Sequence, residues 1–467
     1  MKSKTIRGII YILCITSSVF VSAQEVVPLS QIVRNMLLYH PQALEAKYRV
    51  DQAGAELLKA RGMFDPVVDF QWNQKNYESK NYYQIGRSEI KIPTPLGLDL
   101  KTGYETNRGL FLNPESNTPA GGLLYAGLSA SLLQGLVIDE RRAGRKMAEI
   151  GMNIADEGLN VNNNNLVYQS VLHYLAWTQS YKSVILFRQA VGNVNQRLQA
   201  VRNQVLSGDR PGIDTVEVNI QKQLLEISLQ EAEASLVQSR TMLNTFIWNV
   251  GLENAGLSPG DIPEERIDTV GNVTSDISLE TLVANHPELR QYNLKLDQMD
   301  VERRLKTDKL KPNVVLSYNP LFEPVSESLV NNVTFENFKF GVSLYMPLYL
   351  RKERGDIRLI NSKMNEVKMI NLDKTTNIMA KYQAYVVEYN NVRRQLQILE
   401  ETVILYRQMY EAEIQLFEIG ESSLFLVNTR EQNLIQSEIK RLELEIKMYK
   451  AYFGIFYVSG VLPDFFN

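Results

Sequence analysis

The chain has 467 residues, 44% of them hydrophobic and 22% charged, with one cysteine, three histidines and a formal net charge of −3. That balance excludes a disordered chain and a basic nucleic-acid binder, and a mean hydropathy of −0.21 excludes a polytopic helical membrane protein. One cysteine rules out a disulfide framework or a cysteine-built zinc site, and the length alone predicts about three compact domains.

The N-terminal segment has the plan of an export signal. Lys2, Lys4 and Arg7 precede an apolar run from Ile9 to Val21, and Val21-Ser22-Ala23 supplies the small residues of a cleavage site. The run is shorter than the roughly 18–20 residues a spanning helix needs. Residues 1–23 are therefore predicted to be a signal peptide. Cleavage after Ala23 removes Cys14 and three positive charges, taking the net charge from −3 to −6. Cys14 lies inside the apolar run behind the large Leu13, so lipidation is not expected. An exported chain without a later apolar helix is periplasmic, secreted, or held in the outer membrane by a closed β-barrel.

The chain then repeats itself. Leu29–Val33 leading to His40-Pro41 matches Leu279–Val283 leading to His286-Pro287. Pro-containing breaks follow, Phe64-Asp65-Pro66-Val67-Val68 and Lys311-Pro312-Asn313-Val314-Val315. Alternating segments come next, Ala126–Leu132 and Phe340–Met346. Each half then begins a long helix on a charged run, Asp139-Glu140-Arg141-Arg142 or Arg351-Lys352-Glu353-Arg354. Each long helix breaks at a glycine, Gly208 or Gly420, and resumes. Domain boundaries follow from this order: a first repeat over 24–250, a Gly-, Pro-, Asp- and Asn-rich linker over 251–278, and a second repeat with a short tail over 279–467.

The predicted long helices, from about Asp139 to Leu206 and Arg351 to Glu418, each span about 100 Å at 1.5 Å per residue. Both carry apolar residues three and four apart: Val184, Phe187, Val191, Val194, Leu198, Val201 and Val205 in one, Tyr385, Tyr389, Val392, Leu396, Leu399, Val403, Tyr406 and Tyr410 in the other. The returning helices do the same, through Leu225, Leu229, Ala232, Leu236, Ser239, Leu243 and Phe246, and through Ile435, Ile439, Leu442, Ile446, Tyr449, Phe453 and Phe456. That spacing predicts left-handed coiled-coil packing. The opposite, amide-rich faces, including Asn160 and Asn162–Asn165, read as hydrated. The stretches around Gly208-Asp209 and Gly420-Glu421-Ser422 read as hairpin tips, with Ser422 or Ser423 as a helix cap. The His-Pro pairs read as helix starts, not as a catalytic dyad, and His173 is isolated on a long helix. No catalytic, cofactor or metal constellation emerges.

The strands alternate. Val68, Phe70 and Trp72 oppose Asp69, Gln71 and Asn73, and Phe338, Phe340, Val342, Leu344 and Met346 alternate with polar or small residues. This suits a lipid-facing barrel wall, with Trp72, Tyr77, Phe335 and Phe338 as aromatic-girdle candidates. Four principal strands cannot close a barrel, whereas three copies supply about twelve. A further hairpin over Ser88–Pro95 and Leu96–Tyr104 joins the barrel or projects from its mouth.

The duplicated plan, the two long helices, the tip glycines and the passage Met346-Pro347-Leu348 into Arg351–Arg354 together resemble the TolC family of outer-membrane efflux and secretion channels, over nearly the whole mature chain. The resemblance implies a mainly α fold with a β-barrel portion: a homotrimer whose barrel of about twelve strands sits in outer-membrane lipid on an α-helical periplasmic tunnel. It implies a passive exit duct in a tripartite efflux or type I secretion system, for drugs, toxic ions or polypeptides. The partners it implies are a periplasmic adaptor (membrane fusion protein), an inner-membrane pump reached through that adaptor, and no nucleic acid. It also implies that Gly208, Asp209, Gly420, Glu421, Ser422 and Leu424 form adaptor-contacting tips. The family places acidic gate residues six and nine positions after the second tip glycine, where this chain has Leu426 and Thr429. The same offsets in the first hairpin hold Asp214 and Glu217, which read either as first-turn acids of a helix or as a constriction moved to that hairpin. Phe417 and Ser422 stand where the family has a tyrosine and an arginine that hold the closed state. The alternative reading is a periplasmic coiled-coil structural or adaptor protein with no pore.

Overall fold

A computed structural model of the chain describes residues 25–267, 279–323 and 336–466. The signal segment at 1–23 and the girdle candidate Phe335 lie outside the described residues. The first half holds β1 (Val26–Val27), α1 (Leu29–Tyr39), α2 (Pro41–Gly62), β2 (Val67–Tyr77), β3 (Lys80–Pro93), β4 (Leu98–Arg108), β5 (Leu123–Ser131), α3 (Glu140–Leu206) and α4 (Ile213–Asn244). The second holds β6 (Ile262–Pro263), α5 (Leu279–Asn285), α6 (Pro287–Asp308), β7 (Asn313–Phe322), β8 (Phe338–Tyr345), α7 (Arg351–Glu418) and α8 (Leu424–Val458). The chain forms two compact units, a helical one over 25–36, 170–267 and 396–446 and a strand-bearing one over the remaining described residues. Each draws on both halves of the sequence.

In the helical unit the heptad stripes become the core. Val194, Leu198 and Val201 of α3 pack with Val218 and Leu225 of α4, Tyr410 and Phe417 of α7, and Leu424, Val427 and Ile435 of α8. Each fully buried Val, Leu or Phe side chain contributes about 1.5–3 kcal/mol against exposure. The stripe, not intrinsic helix propensity, therefore holds these helices together. The same unit ties down the start of the chain. β1 pairs in parallel with β6, and the Tyr174 hydroxyl donates to the Val27 carbonyl at 2.9 Å while accepting from the Glu264 N–H at 3.0 Å. Burial raises the Tyr174 phenol pKa, so it stays a neutral donor. The inter-repeat segment is fastened to α4, where Arg240 donates to the Leu257 carbonyl at 2.8 Å and the Asn244 side chain accepts from the Leu257 N–H at 2.9 Å.

In the strand-bearing unit one antiparallel sheet runs in the order β2-β3-β4-β5-β7-β8, and the β5–β7 ladder joins the two halves of the sequence. The expected combination of coiled-coil helices with a curled antiparallel sheet is present, but among the described residues that sheet holds six strands rather than the four principal ones. The added hairpin is part of the sheet. β3 pairs with β2 from Val67–Lys91 to Tyr77–Lys80, and β4 pairs with β3 from Gln84–Arg108 to Pro93–Asp99. The reason is that its charged side chains find partners across the sheet, which the next subsection describes.

Both His-Pro pairs are helix caps. His40 and His286 precede prolines in the first turn of α2 and α6, each 22 residues long, and each Nδ1 accepts a backbone N–H two residues on, from Gln42 or Glu288, at 3.2 Å. Buried His286 also hydrogen-bonds the Val458 carbonyl, and burial holds its pKa below the usual histidine value. The folded state therefore binds fewer protons than the unfolded one. Stability is complete above the unfolded pKa of about 6.5 and falls as the pH drops through it. Thermal unfolding between neutral and mildly acidic pH checks this: His286→Asn, which keeps a cap acceptor, flattens the profile, and an unchanged profile contradicts the assignment.

The amide run on α3 is not simply a hydrated face. Asn164 is buried, donates to the Tyr457 carbonyl at 2.8 Å and accepts from the Leu462 N–H at 3.2 Å, while the Tyr457 hydroxyl donates to Asn165 at 2.9 Å. The C-terminal tail turns back on these amides because its backbone groups need partners once buried.

Candidate functional site

The sheet has two chemically distinct faces. Ladder partners share parity, as in Gln71 with Arg87, Arg87 with Glu105, Ser129 with Ser317 and Ser317 with Gly341, so odd-numbered residues line one face. That face is polar, and many of its charges are paired. Asp99 binds Lys91 at 3.0 Å and Arg141 at 2.9 Å, Arg87 pairs with Glu89, and Lys339 pairs with Glu105. The Tyr125 hydroxyl donates to Glu89 at 2.7 Å. The even-numbered face is apolar and exposed, with Phe70 and Leu344 each 70% exposed alongside Val68, Ile90, Leu100, Phe340 and Val342. An exposed apolar surface of this breadth marks a contact with lipid or protein.

Three girdle candidates lie within the described residues. Trp72 sits in mid-strand over Gly86, where a Cβ would come within 2.8 Å of the indole ring. Tyr77 ends β2 and meets Tyr82 edge-on at 5.8 Å. Phe338 opens β8 and lies 5.5 Å from Tyr318.

The two tips are built alike. Gly208 and Gly420 both adopt φ of 82°. Around the first, Gly208 N–H bonds Val205 O at 3.1 Å and Asp209 N–H bonds Gln204 O at 2.9 Å. Around the second, Gly420 N–H bonds Phe417 O at 3.2 Å and Glu421 N–H bonds Leu416 O at 2.9 Å. This is the Schellman pattern, which needs a left-handed residue and so favours glycine. Asp209 accepts from the Ser207 hydroxyl at 2.7 Å, and Glu421 is exposed. The Ser422 hydroxyl donates to Glu413, whereas Ser423 is the cap of α8, accepting from the Leu426 N–H at 3.4 Å. Leu424 departs from expectation as a contact residue. It is buried in the helical core, whereas Leu206, Ile213, Ile419, Phe425 and Leu426 are exposed apolar side chains at or beside the tips.

The constriction candidates have partners inside the chain. Asp214 pairs with Arg210 at 3.3 Å, and Glu217 accepts from the Asn428 amide at 3.0 Å. Leu426 is exposed, and the Thr429 hydroxyl donates to the Phe425 carbonyl at 2.7 Å. Arg210 also reaches across to α7, its guanidinium 3.9 Å from the Phe417 ring centre and donating to the Phe417 carbonyl at 3.3 Å. A cation over an aromatic face contributes about 0.5–1 kcal/mol at exposed sites and more when desolvated.

A buried polar node joins all four long helices. Arg197 of α3 binds Glu431 of α8 at 2.6 Å, with side chains 9% and 3% exposed, and donates to Asn428 at 2.7 Å and to the Tyr410 hydroxyl at 3.3 Å. Tyr410 of α7 donates to Glu431 at 3.0 Å, and Asn428 passes the chain on to Glu217 of α4. Burial and the Glu431 carboxylate both raise the Tyr410 phenol pKa. None of Arg197, Asn428 and Glu431 stood out in the sequence. The available signal was a glutamate interrupting the apolar stripe Leu424, Val427, Ile435.

Among the described residues no three of His, Cys, Asp and Glu converge as metal ligands, and no helix is long and apolar enough to cross a membrane. His173 lies against the Phe246 ring at 5.1 Å.

The strand-bearing unit thus holds a two-faced antiparallel sheet, and the helical unit heptad-packed hairpins. No family model and no curated protein matches the sequence, but solved structures do. The chain is similar to the CmeC outer membrane channel of Campylobacter jejuni (TM-score 0.66, 12% identity, 93% of this chain and 85% of that one). It is similar to the MtrE outer membrane channel of Neisseria gonorrhoeae in its open state (0.67, 11%, 92% and 88%) and to the outer membrane protein VceC of Vibrio cholerae (0.64, 12%, 92% and 96%). The fold is that of the TolC-family outer-membrane channels.

Proposed function

We propose that the protein is the outer-membrane duct of a tripartite export system: a homotrimer whose sheets form a lipid-embedded barrel and whose long helices form a periplasmic conduit. The observation that carries this is the sheet itself. Its apolar face is exposed, its polar face carries paired charges, and both edges are free among the described residues. A closed barrel in lipid uses all three properties. The reading treats the chain as two copies of one plan, 24–250 and 279–467 about the linker at 251–278, exported by the signal at 1–23. It places the exposed tip side chains against a periplasmic adaptor and, through it, an inner-membrane pump that supplies the energy, for efflux or type I secretion. Passive transport asks for no catalytic group, so the protein is not an enzyme. Asp214 and Glu217 contribute to a constriction through their places beside Arg210 and the Arg197 node. A periplasmic coiled-coil adaptor without a pore has no use for the exposed apolar sheet face.

Membrane fractionation tests this. The protein is expected in the outer membrane, released only by detergent, with a native mass of three chains; a detergent-free soluble monomer overturns it.

A further inference from the structure

We propose that the two free edges of the sheet pair with each other between copies of this chain, β8 of one against β2 of the next. The β3–β4 hairpin is then barrel wall, and three copies of six strands close on eighteen. The proposal rests on the outer-membrane reading above and adds the seam and the size of the barrel.

The sheet order begins at β2 and ends at β8, and every residue of β2 is exposed. Unpaired backbone groups at an edge are costly in lipid, where no water is present to satisfy them. All five ladders are antiparallel, so β2 and β8 run in opposite directions and meet as one more antiparallel ladder. Their faces also agree. Phe70 and Trp72 on β2 and Val342 and Leu344 on β8 belong to the even, apolar face, whereas Gln71 and Ser343 belong to the polar one. Joining the edges continues both faces without a break.

The register supplies the tilt that closure needs. A line across the sheet runs from Val67 to Lys91, Lys101 and Gly127; the β5–β7 register carries it to Asn319, and so to Lys339. Lys339 precedes Tyr345, the helix-side end of β8, by six residues (345 less 339), whereas Val67 is the helix-side end of β2. Crossing five strand spacings of about 4.8 Å thus climbs six residues of about 3.3 Å. That is a tilt of about 40°, inside the range of roughly 35–45° for membrane barrels. Since diameter grows about linearly with strand number, eighteen strands give a bore about one and a half times that of twelve.

Disulfide trapping tests the seam in the full-length chain, whose single native cysteine is Cys14 in the signal segment. Gln71→Cys with Ser343→Cys, and Asp69→Cys with Ser343→Cys for the adjacent register, are oxidised in outer membranes and resolved without reductant. At least one of the two pairs is expected to give covalent dimers and trimers, while Gln71→Cys with Val342→Cys, on opposite faces, gives none. Cross-linking through Lys101→Cys with Ser343→Cys instead puts β4 at the seam, makes the wall twelve strands and overturns the proposal. Intact trimers with no cross-link from either seam pair overturn it too. Monomers in every variant overturn the outer-membrane reading itself.

Discussion

Replacing Glu431 with alanine lowers the stability of the helical unit by about 3–5 kcal/mol, the cost of leaving a buried charge without its counter-ion. Arg197 is the stranded partner. It is held 2.6 Å from Glu431 with both side chains nearly fully buried, so neither water nor another carboxylate replaces what is lost. Tyr410 loses its acceptor in the same substitution, and its bond to Arg197 at 3.3 Å is the weaker one. Glu431→Gln keeps an acceptor for Tyr410 and costs less. The double substitution Arg197→Met with Glu431→Leu recovers most of the loss, because apolar side chains of similar volume fill the site without a charge to desolvate. Urea unfolding of the detergent-solubilised protein, followed by far-UV circular dichroism, reads all three. A loss for Glu431→Ala below about 1 kcal/mol, the value for an exposed pair, contradicts the node as described. The node ties α3, α4, α7 and α8 together, so the same variants are expected to speed amide exchange in both hairpins.

Arginine at Val342 costs about 2–4 kcal/mol of folding into lipid, the penalty for a cation on the outer face of a barrel near the bilayer midplane. Arginine at the adjacent Ser343 costs little, because that side chain lies on the face that already carries Lys339, Arg87 and Asp99. The contrast between neighbours isolates orientation from strand propensity, since both positions are in the same strand and the same ladder. Folding equilibria in phospholipid vesicles measure it. Equal costs at the two positions, or a cost at Ser343 alone, contradict the assignment of the even face to lipid.

Much of this architecture was legible in the sequence for local reasons. The long helices end at Leu206 and Glu418 because each is followed by a glycine that takes a left-handed conformation, and that chemistry is written in Gly208 and Gly420 themselves. The heptad positions Val194, Leu198, Val403, Leu442 and Phe453 are buried as their spacing demanded. His40 and His286 are caps because proline follows each. The hairpin β3–β4 was harder. Arg87, Glu89, Lys91, Asp99 and Lys101 look solvated until their ladder partners are known, and the preceding turn at Glu78-Ser79 takes φ of 49° and 58° without the Asn-Gly or Asp-Gly signal of that turn type. The Arg197 node lay out of reach for a different reason. Its members come from four helices, and only their three-dimensional meeting shows that Glu431 is matched. Asp214 and Glu217 were legible as acids near a tip, but their partners Arg210 and Asn428 were not.

The central claim, that copies of this chain enclose a water-filled pore, is tested most directly by single-channel recording of the purified protein in a planar lipid bilayer. Stable, stepwise ion conductance is predicted, altered in ion selectivity by Asp214→Asn with Glu217→Gln. Protein that inserts into the bilayer and gives no conductance, including after the Glu431→Ala substitution that loosens the helical hairpins, contradicts the account.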